Sequence, residues 1–191
     1  MEDWIVTGGE GFIGSTIVRM TDARSYDLKS GQDILDTEKV KIFSANAQGL
    51  FHCAAKISVP ESVREPEAYY QTNVIGMRSI IDAAQANGLK VVFSSSCAVY
   101  GESESAISED GRLEPGSPYA ENKREGEAML AASGIPAVTL RYFNVYGPGQ
   151  SDAYGAVITS FIKAALRGGD LVIYGDGTQT RDLVYVDDVA R

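Results

Sequence analysis

The chain has one histidine and two cysteines, and acidic side chains outnumber basic ones 26 to 17, for a net charge of −9. Each shortage removes a class of function. His52 stands beside Cys53 with no further ligands at sensible spacing, so it reads as structural and no metal is expected. Cys53 and Cys97 lie in apolar, strand-like runs and read as buried thiols in a reducing compartment. The acidic surplus argues against nucleic acid, which needs a basic footprint. No apolar run approaches membrane-spanning length, and Met1-Glu2-Asp3 lacks the basic start of a signal peptide, so a cytoplasmic protein is the expectation. With 44% hydrophobic and 23% charged residues, the chain can bury one core and a small second lobe.

Apolar runs alternate with helical patterns, the signature of a parallel sheet covered on both faces. Strands are predicted at Asp3–Thr7, Leu50–Cys53, Lys90–Ser94 and Pro136–Tyr142, and helices at Glu67–Asn87 and Tyr119–Ala132. Ser103–Ser117 is a polar loop, and from Gly147 the alternation weakens. The first strand runs straight into Gly8-Gly9-Glu10-Gly11-Phe12-Ile13-Gly14 and then a helical pattern. Glycines at 8, 11 and 14 suit a tight strand-to-helix turn. They let backbone approach a pyrophosphate resting on the helix N-terminus. A lone glycine triplet is weak evidence, and a loop without a ligand is the bland alternative; its place between strand and helix strengthens it.

Tyr119-Ala-Glu-Asn-Lys123 is the second feature. Four residues apart on a helix, the two side chains share a face. A tyrosine titrates near pH ~10 and is a poor base at neutrality, but an ammonium beside it favours the phenolate.

Six segments now occur in order: Thr7–Gly14, Phe51–Ala55, Ser94–Gly101, Tyr119…Lys123, Arg141–Gly149 and Tyr174–Asp182. Together they resemble the extended short-chain dehydrogenase/reductase family, in its nucleotide-sugar epimerase/dehydratase branch, along nearly the whole chain. The resemblance implies an α/β fold: a Rossmann-type doubly wound parallel sheet, with residues 1–146 binding NAD and 147–191 forming an incomplete substrate lobe. It implies that NAD lies along Gly8, Gly11, Phe12, Ile13, Gly14, Cys53, Ala54, Ala55, Asn73, Ser94 and Tyr142. Tyr119 and Lys123 would also touch the cofactor, Lys123 at the nicotinamide ribose. Ser96, Tyr119 and Lys123 would be catalytic. Ser96, Asn144, Val157, Tyr174 and Arg181 would hold a nucleotide sugar, with Asn144 and Arg181 on its pyrophosphate. Asn73 reads equally as a helix-capping or loop amide, and Tyr142 as core. Arg181 has the alternative of a surface ion pair with Asp182 or Asp187. The helices over 67–87 and 119–132 would form a homodimer.

Two departures from the family pattern stand out. Only positions 15–32 separate Gly14 from Asp33-Ile34-Leu35-Asp36, too few for two crossover units, since one alone takes about a dozen residues. A shortened first helix, a brief strand around Arg24–Leu28 and loss of the next helix–strand pair are therefore expected. Asp27 is the nearest acid for the adenosine ribose, but it arrives early and equally suits a turn before Lys29-Ser30-Gly31. Arg24 and Lys29 flank it and leave a 2′-phosphate open. Asp33 and Ile34 match the family's adenine-contacting pair better. The second departure is that the sequence ends at Val186-Asp-Asp-Val-Ala-Arg191, where members of the family continue, so either a fragment or a short homologue is expected.

The resemblance also narrows the reaction. Dehydratases of this branch place Asp-Glu directly after the catalytic hydroxyl residue, and decarboxylases keep the Glu. Cys97 and Ala98 stand here, neither with a carboxyl group. A related cysteine-dependent group places its thiol where this chain has Ala98. The expectation is 4-epimerisation of a UDP-hexose through a transient 4-keto sugar. A dehydratase or reductase of the same family, or a catalytically silent NAD-binding regulator, are the alternatives.

Overall fold

A computed structural model describes residues 3–103, 105–151, 157–173 and 175–191. The first strand, β1 (Trp4–Thr7), feeds α1 (Phe12–Thr21) through the glycine loop, and β2 (Arg24–Tyr26) follows. β2 stops two residues before the expected Leu28. Asp27 ends it by capping a 3-10 turn, Leu28–Ser30, with its side chain on Lys29 N. α2 (Thr37–Ser44), which the sequence reading missed, then leads to β3 (Gly49–His52). Next come α3 (Val59–Arg64) and α4 (Pro66–Tyr70). A π-helical turn at Gln71–Ile75 joins α4 to α5 (Gly76–Asn87), so the helix expected over 67–87 is continuous but widened once. β4 (Lys90–Ser96) ends in a 3-10 turn, Cys97–Tyr100. α6 (Pro118–Ala132) carries Tyr119 and Lys123 and is followed by β5 (Ala137–Tyr142) and β6 (Asn144–Tyr146). α7 (Val157–Leu166), β7 (Leu183–Tyr185) and α8 (Val186–Ala190) complete the order.

The main sheet is parallel throughout, with strand order β2-β1-β3-β4-β5. A full doubly wound sheet carries one more strand outside β2. No such strand is present among the described residues, which is the loss that the short spacing predicts. Alternate side chains of the strands enter two separate apolar clusters. Ile5, Leu50, Val91 and Phe93 pack with Met77, Ile80 and Leu130 from α5 and α6. Val6 packs on the opposite side with Ile17 and Ala23, flanked by Trp4, Ile13 and Phe51. Burial on both faces explains strands of near-continuous Val, Ile and Phe rather than alternating polarity.

β6 pairs in parallel with β7 in a second, two-stranded sheet, across the expected division at 146/147. α8 docks on α1: Asp187 pairs with Arg19 at 2.6 Å, and Ala190 packs beside Val6, Ile17 and Ala23. Among the described residues no helix is long and apolar enough to cross a membrane.

Candidate active site

The carboxyl ends of β1, β3 and β4 place the expected site residues at one edge of the sheet, where parallel α/β folds hold ligands. Gly8 has φ 71°, and a Cβ there would lie 2.6 Å from Ala54 N, so the loops after β1 and β3 touch backbone to backbone. Gly14 sits in the first turn of α1, where a Cβ would fall 2.1 Å from Gly8 O. α1 begins at Gly11 with no side-chain cap and no acid in its first turn. Its leading N–H groups, at Phe12, Ile13 and Gly14, are thus free of the side-chain acceptors that usually occupy them. A cradle that only glycine fits, opening on such a terminus, suits a dinucleotide pyrophosphate.

Asp27 is 8% exposed and accepts from Glu10 N and from Lys29 N, each at 2.9 Å. It is therefore a turn cap, and one tied to the glycine loop, where a ribose hydroxyl would arrive. Lys29 Nζ donates to Glu10 O at 2.8 Å, and Arg24 lies 4.8 Å over the Phe43 ring. Asp33 caps Leu35 N at 2.9 Å and receives the Tyr26 hydroxyl on its carbonyl at 3.0 Å. Ile34 is buried in the core against Gly76.

Asn73, in the π-helical turn, is 4% exposed. Its Oδ1 accepts from Lys56 N and its Nδ2 donates to Lys56 O, both at 2.9 Å. The loop-amide reading describes this geometry: Asn73 clamps the segment Cys53–Ser58 in place. Tyr69 pins the same segment, accepting from Ser58 N and donating to Glu61, whose other oxygen pairs with Lys56. Sequence reasoning missed this bracing because its members come from three elements.

Cys53 and Cys97 need correction. Both are half-buried. Cys53 lies just past β3, within 3.2 Å of Ser94 Oγ, and Cys97 opens the 3-10 turn that Ser96 caps through Ala98 N at 3.2 Å. Burial pushes both thiols up. His52 accepts or donates at Thr7 Oγ1 (2.8 Å), stacks on Phe93, and is driven to about 3 chiefly by burial.

Ser96 and Tyr119 come together, and Lys123 stands one turn further along the same helix. α6 starts with Pro118 under a Ser117 cap, which sets Tyr119 in its first turn. The phenol is 9% exposed; burial pushes it up, and the Ser96 hydroxyl acts on it in the opposite direction. Lys123 is 5% exposed, and burial brings its ammonium down to about 8. The ammonium expected beside the phenol is here directed to Ser94 O at 2.7 Å, over the Phe93 ring. Tyr142, opposite Ser96 on β5, is pushed up to about 12 by burial, with Ser94 opposing.

Of the residues expected on the sugar nucleotide, Asn144 donates from N and Nδ2 to Asp182 O at 3.1 and 3.0 Å. Arg181 is exposed and donates to Thr180 O at 2.7 Å. Asp187, one partner in its surface-pair alternative, is held by Arg19. Val157 opens α7 and is 40% exposed. Tyr174 lies outside the described residues. A groove of about 460 Å³ separates β5 from β7, bordered by Leu140, Tyr142, Phe143, Asp182 and Leu183.

Ser96 beside a buried Tyr119 and Lys123, next to a glycine cradle on a doubly wound sheet, defines a dinucleotide-dependent enzyme of the short-chain dehydrogenase type. Comparison with known proteins is consistent with that class. A family model described as the NAD dependent epimerase/dehydratase family matches residues 4–191. A UDP-N-acetylglucosamine 4-epimerase from Methanobrevibacter ruminantium, solved with UDP-N-acetylmuramic acid, superposes with a TM-score of 0.92. It is 39% identical over 100% of this chain and 71% of its own. The UDP-glucose 4-epimerase of Thermus thermophilus, solved with NAD, gives a TM-score of 0.87 at 33% identity, over 98% and 71% of the two chains. A UDP-N-acetyl-alpha-D-glucosaminuronate decarboxylase of Bacillus cytotoxicus is 33% identical over 98% of this chain and 68% of its own. The chain belongs to the NAD dependent epimerase/dehydratase family. NAD is its cofactor, and the glycine cradle fits it.

Proposed function

We propose that the chain is a nucleotide-sugar 4-epimerase acting on a UDP-hexose, with residues 147–191 contributing to the sugar-nucleotide side. The observation that carries this reading is the pairing of a complete Ser96–Tyr119–Lys123 set with Cys97 and Ala98 as the next two residues. NAD, when bound, supplies reversible hydride transfer at sugar C4. Tyr119 takes the proton from the 4-hydroxyl and returns it to the 4-keto sugar, while Ser96 orients that oxygen. Lys123, charged below about pH 8, supports the phenolate and the ribose of the cofactor. Elimination and decarboxylation need a further acid or base beside the reacting carbon, and neither a thiol raised by burial nor a methyl group provides one. That contrast favours epimerisation over decarboxylation in this reading.

Incubation with UDP-glucose, UDP-galactose and their N-acetyl forms, followed by proton NMR of the anomeric signals, tests the reading. Interconversion of 4-epimers with no net NADH is expected. Release of water or CO₂, or stoichiometric use of NADPH, would assign the chain to another reaction of its family. In this reading Gly8, Gly11, Gly14, Asp27, Asp33, Ile34, Ala54, Ala55 and Asn73 bind or shape the cofactor cleft. The assembly is a homodimer through α5 and α6, so light scattering should give twice the chain mass.

Arg181→Ala should raise the dissociation constant for UDP about tenfold or more, since a charge-assisted bond to the pyrophosphate is worth roughly 1.5–3 kcal/mol. NAD⁺ affinity and melting temperature should hold, because the side chain is exposed. Calorimetry finding unchanged UDP affinity would remove Arg181 from the site.

A further inference from the structure

One partly buried ion pair has no part in the chemistry described so far. Glu127 lies on α6 one turn beyond Lys123 and two beyond Tyr119, so all three follow one stripe of the helix. Its carboxylate receives Arg141 Nε at 3.0 and 3.1 Å, Arg141 NH2 at 2.7 Å, and the Ser95 hydroxyl. The side chains of Arg141 and Glu127 are 22% and 10% exposed. Ser95 and Arg141 are register partners on β4 and β5, so both project to α6 from neighbouring strands. Arg141 also donates to the Tyr100 hydroxyl at 2.8 Å and to Glu109 O at 3.0 Å, and stacks over the Tyr100 ring. One guanidinium therefore ties its own strand β5 to α6, to the turn after Ser96 and to the loop leading back to α6, while Ser95 brings β4 to the same carboxylate.

The consecutive residues of β4 make the arrangement purposeful. Ser94 O receives Lys123, Ser95 binds Glu127, and the Ser96 hydroxyl faces Tyr119. A slide or roll of α6 would break all three together. We propose that Glu127 and Arg141 are positioning residues that lock α6 to β4 and β5, setting Tyr119 and Lys123 against Ser96. The proposal rests on the epimerase reading for its kinetic consequences, but not for its electrostatic one.

That second consequence concerns Lys123. The groups around it are His52 at the end of β3 and Cys53 just past it, with Tyr119 and Glu127 on its own helix and Arg141 of β5 paired with Glu127. Burial keeps His52 neutral and the Cys53 thiol and Tyr119 phenol protonated. Cys53 and Glu127 oppose the loss of the Lys123 proton on burial, and with the thiol protonated Glu127, itself paired with Arg141, is the carboxylate that does so.

The test uses protein with ¹³C-labelled lysine, following the Lys123 ε-carbon through pH, with Lys123→Arg identifying the signal. The parent midpoint should lie near 8. Glu127→Gln should move it downward, and the basic limb of kcat/KM, which reports the free enzyme, should move with it. An unmoved or raised midpoint would overturn the electrostatic role. Arg141→Lys keeps the charge but loses the two-pronged bond, and Ser95→Ala loses one anchor; neither leaves Glu127 without a cation. Each should lower kcat about tenfold with sugar KM and NAD⁺ affinity held, as expected for misplaced catalytic groups. Parental kcat in both would overturn the positioning role even if Glu127→Gln failed to fold. If the parent turns over no nucleotide sugar, the epimerase reading fails while the Lys123 titration still decides on Glu127.

Discussion

Replacing Tyr119 with phenylalanine should lower turnover about a thousandfold, within the range set by loss of a general acid–base group. The ring would still pack in its buried place, and Lys123 would keep its bond to Ser94 O. The fold should therefore survive, with melting temperature shifted by only a few degrees and NAD⁺ bound as in the parent. The phenol's environment makes this a demanding test. Burial pushes it up and the Ser96 hydroxyl only partly offsets that, so the proton-accepting form must be made by groups that gather around it. Steady-state rates on a UDP-hexose, with NAD⁺ titrated separately, distinguish loss of chemistry from loss of cofactor. Equal turnover in variant and parent would remove Tyr119 from the proton path. A variant that also lost NAD⁺ would mean that the hydroxyl is structural.

What the sequence made legible was local and repetitive. The glycine loop could be placed because its three glycines sit between a strand and a helix, and the sheet because parallel strands buried on both faces are apolar almost throughout. Even the lost strand could be inferred from spacing alone. α2 and α3 were not legible. Six to eight residues with one or two buried positions give no clear helical period, so their ends are set by caps at Asp36 and Ser58 and by what they pack on. The site's internal wiring was hidden for a different reason. Asn73 on Lys56 and Glu127 on Arg141 join residues from separate elements, and no spacing rule reaches across them. Lys123 was read as Tyr119's partner from helix geometry, yet the Ser94 carbonyl on another element competes for it.

Asp27 illustrates how two readings can share a residue. Its carboxylate closes the turn after β2 and also receives Glu10 N, which ties the edge of the glycine loop to the end of β2. Removing it should loosen the loop as well as any ribose contact.

Gly14→Ala should be the most damaging small change to cofactor binding. On helix propensity alone it should stabilise α1 by about 1 kcal/mol. No left-handed backbone forbids it, since Gly14 is not among the glycines with positive φ. Contact geometry decides otherwise. The new Cβ would fall 2.1 Å from Gly8 O, 2.8 Å from Gly8 C and 3.0 Å from Gly9 Cα. All three are backbone atoms, so no side chain can turn aside, and the loop must move away from the helix. Gly8 is itself fixed against Ala54 N, which blocks that movement on its far side. Overpacking of this kind costs about 1–3 kcal/mol, enough to cancel the propensity gain and lower stability. The cost to NAD⁺ should be larger, because the displaced segment is the one that must approach the pyrophosphate: a rise in dissociation constant of about a hundredfold, near 2.7 kcal/mol, is expected. Gly116→Ala serves as control, since its added Cβ meets nothing within 4 Å and should change neither quantity. Calorimetric titration with NAD⁺ beside thermal unfolding checks both. An affinity within about threefold of the parent, less than 1 kcal/mol, would mean that the pyrophosphate does not lie on this loop.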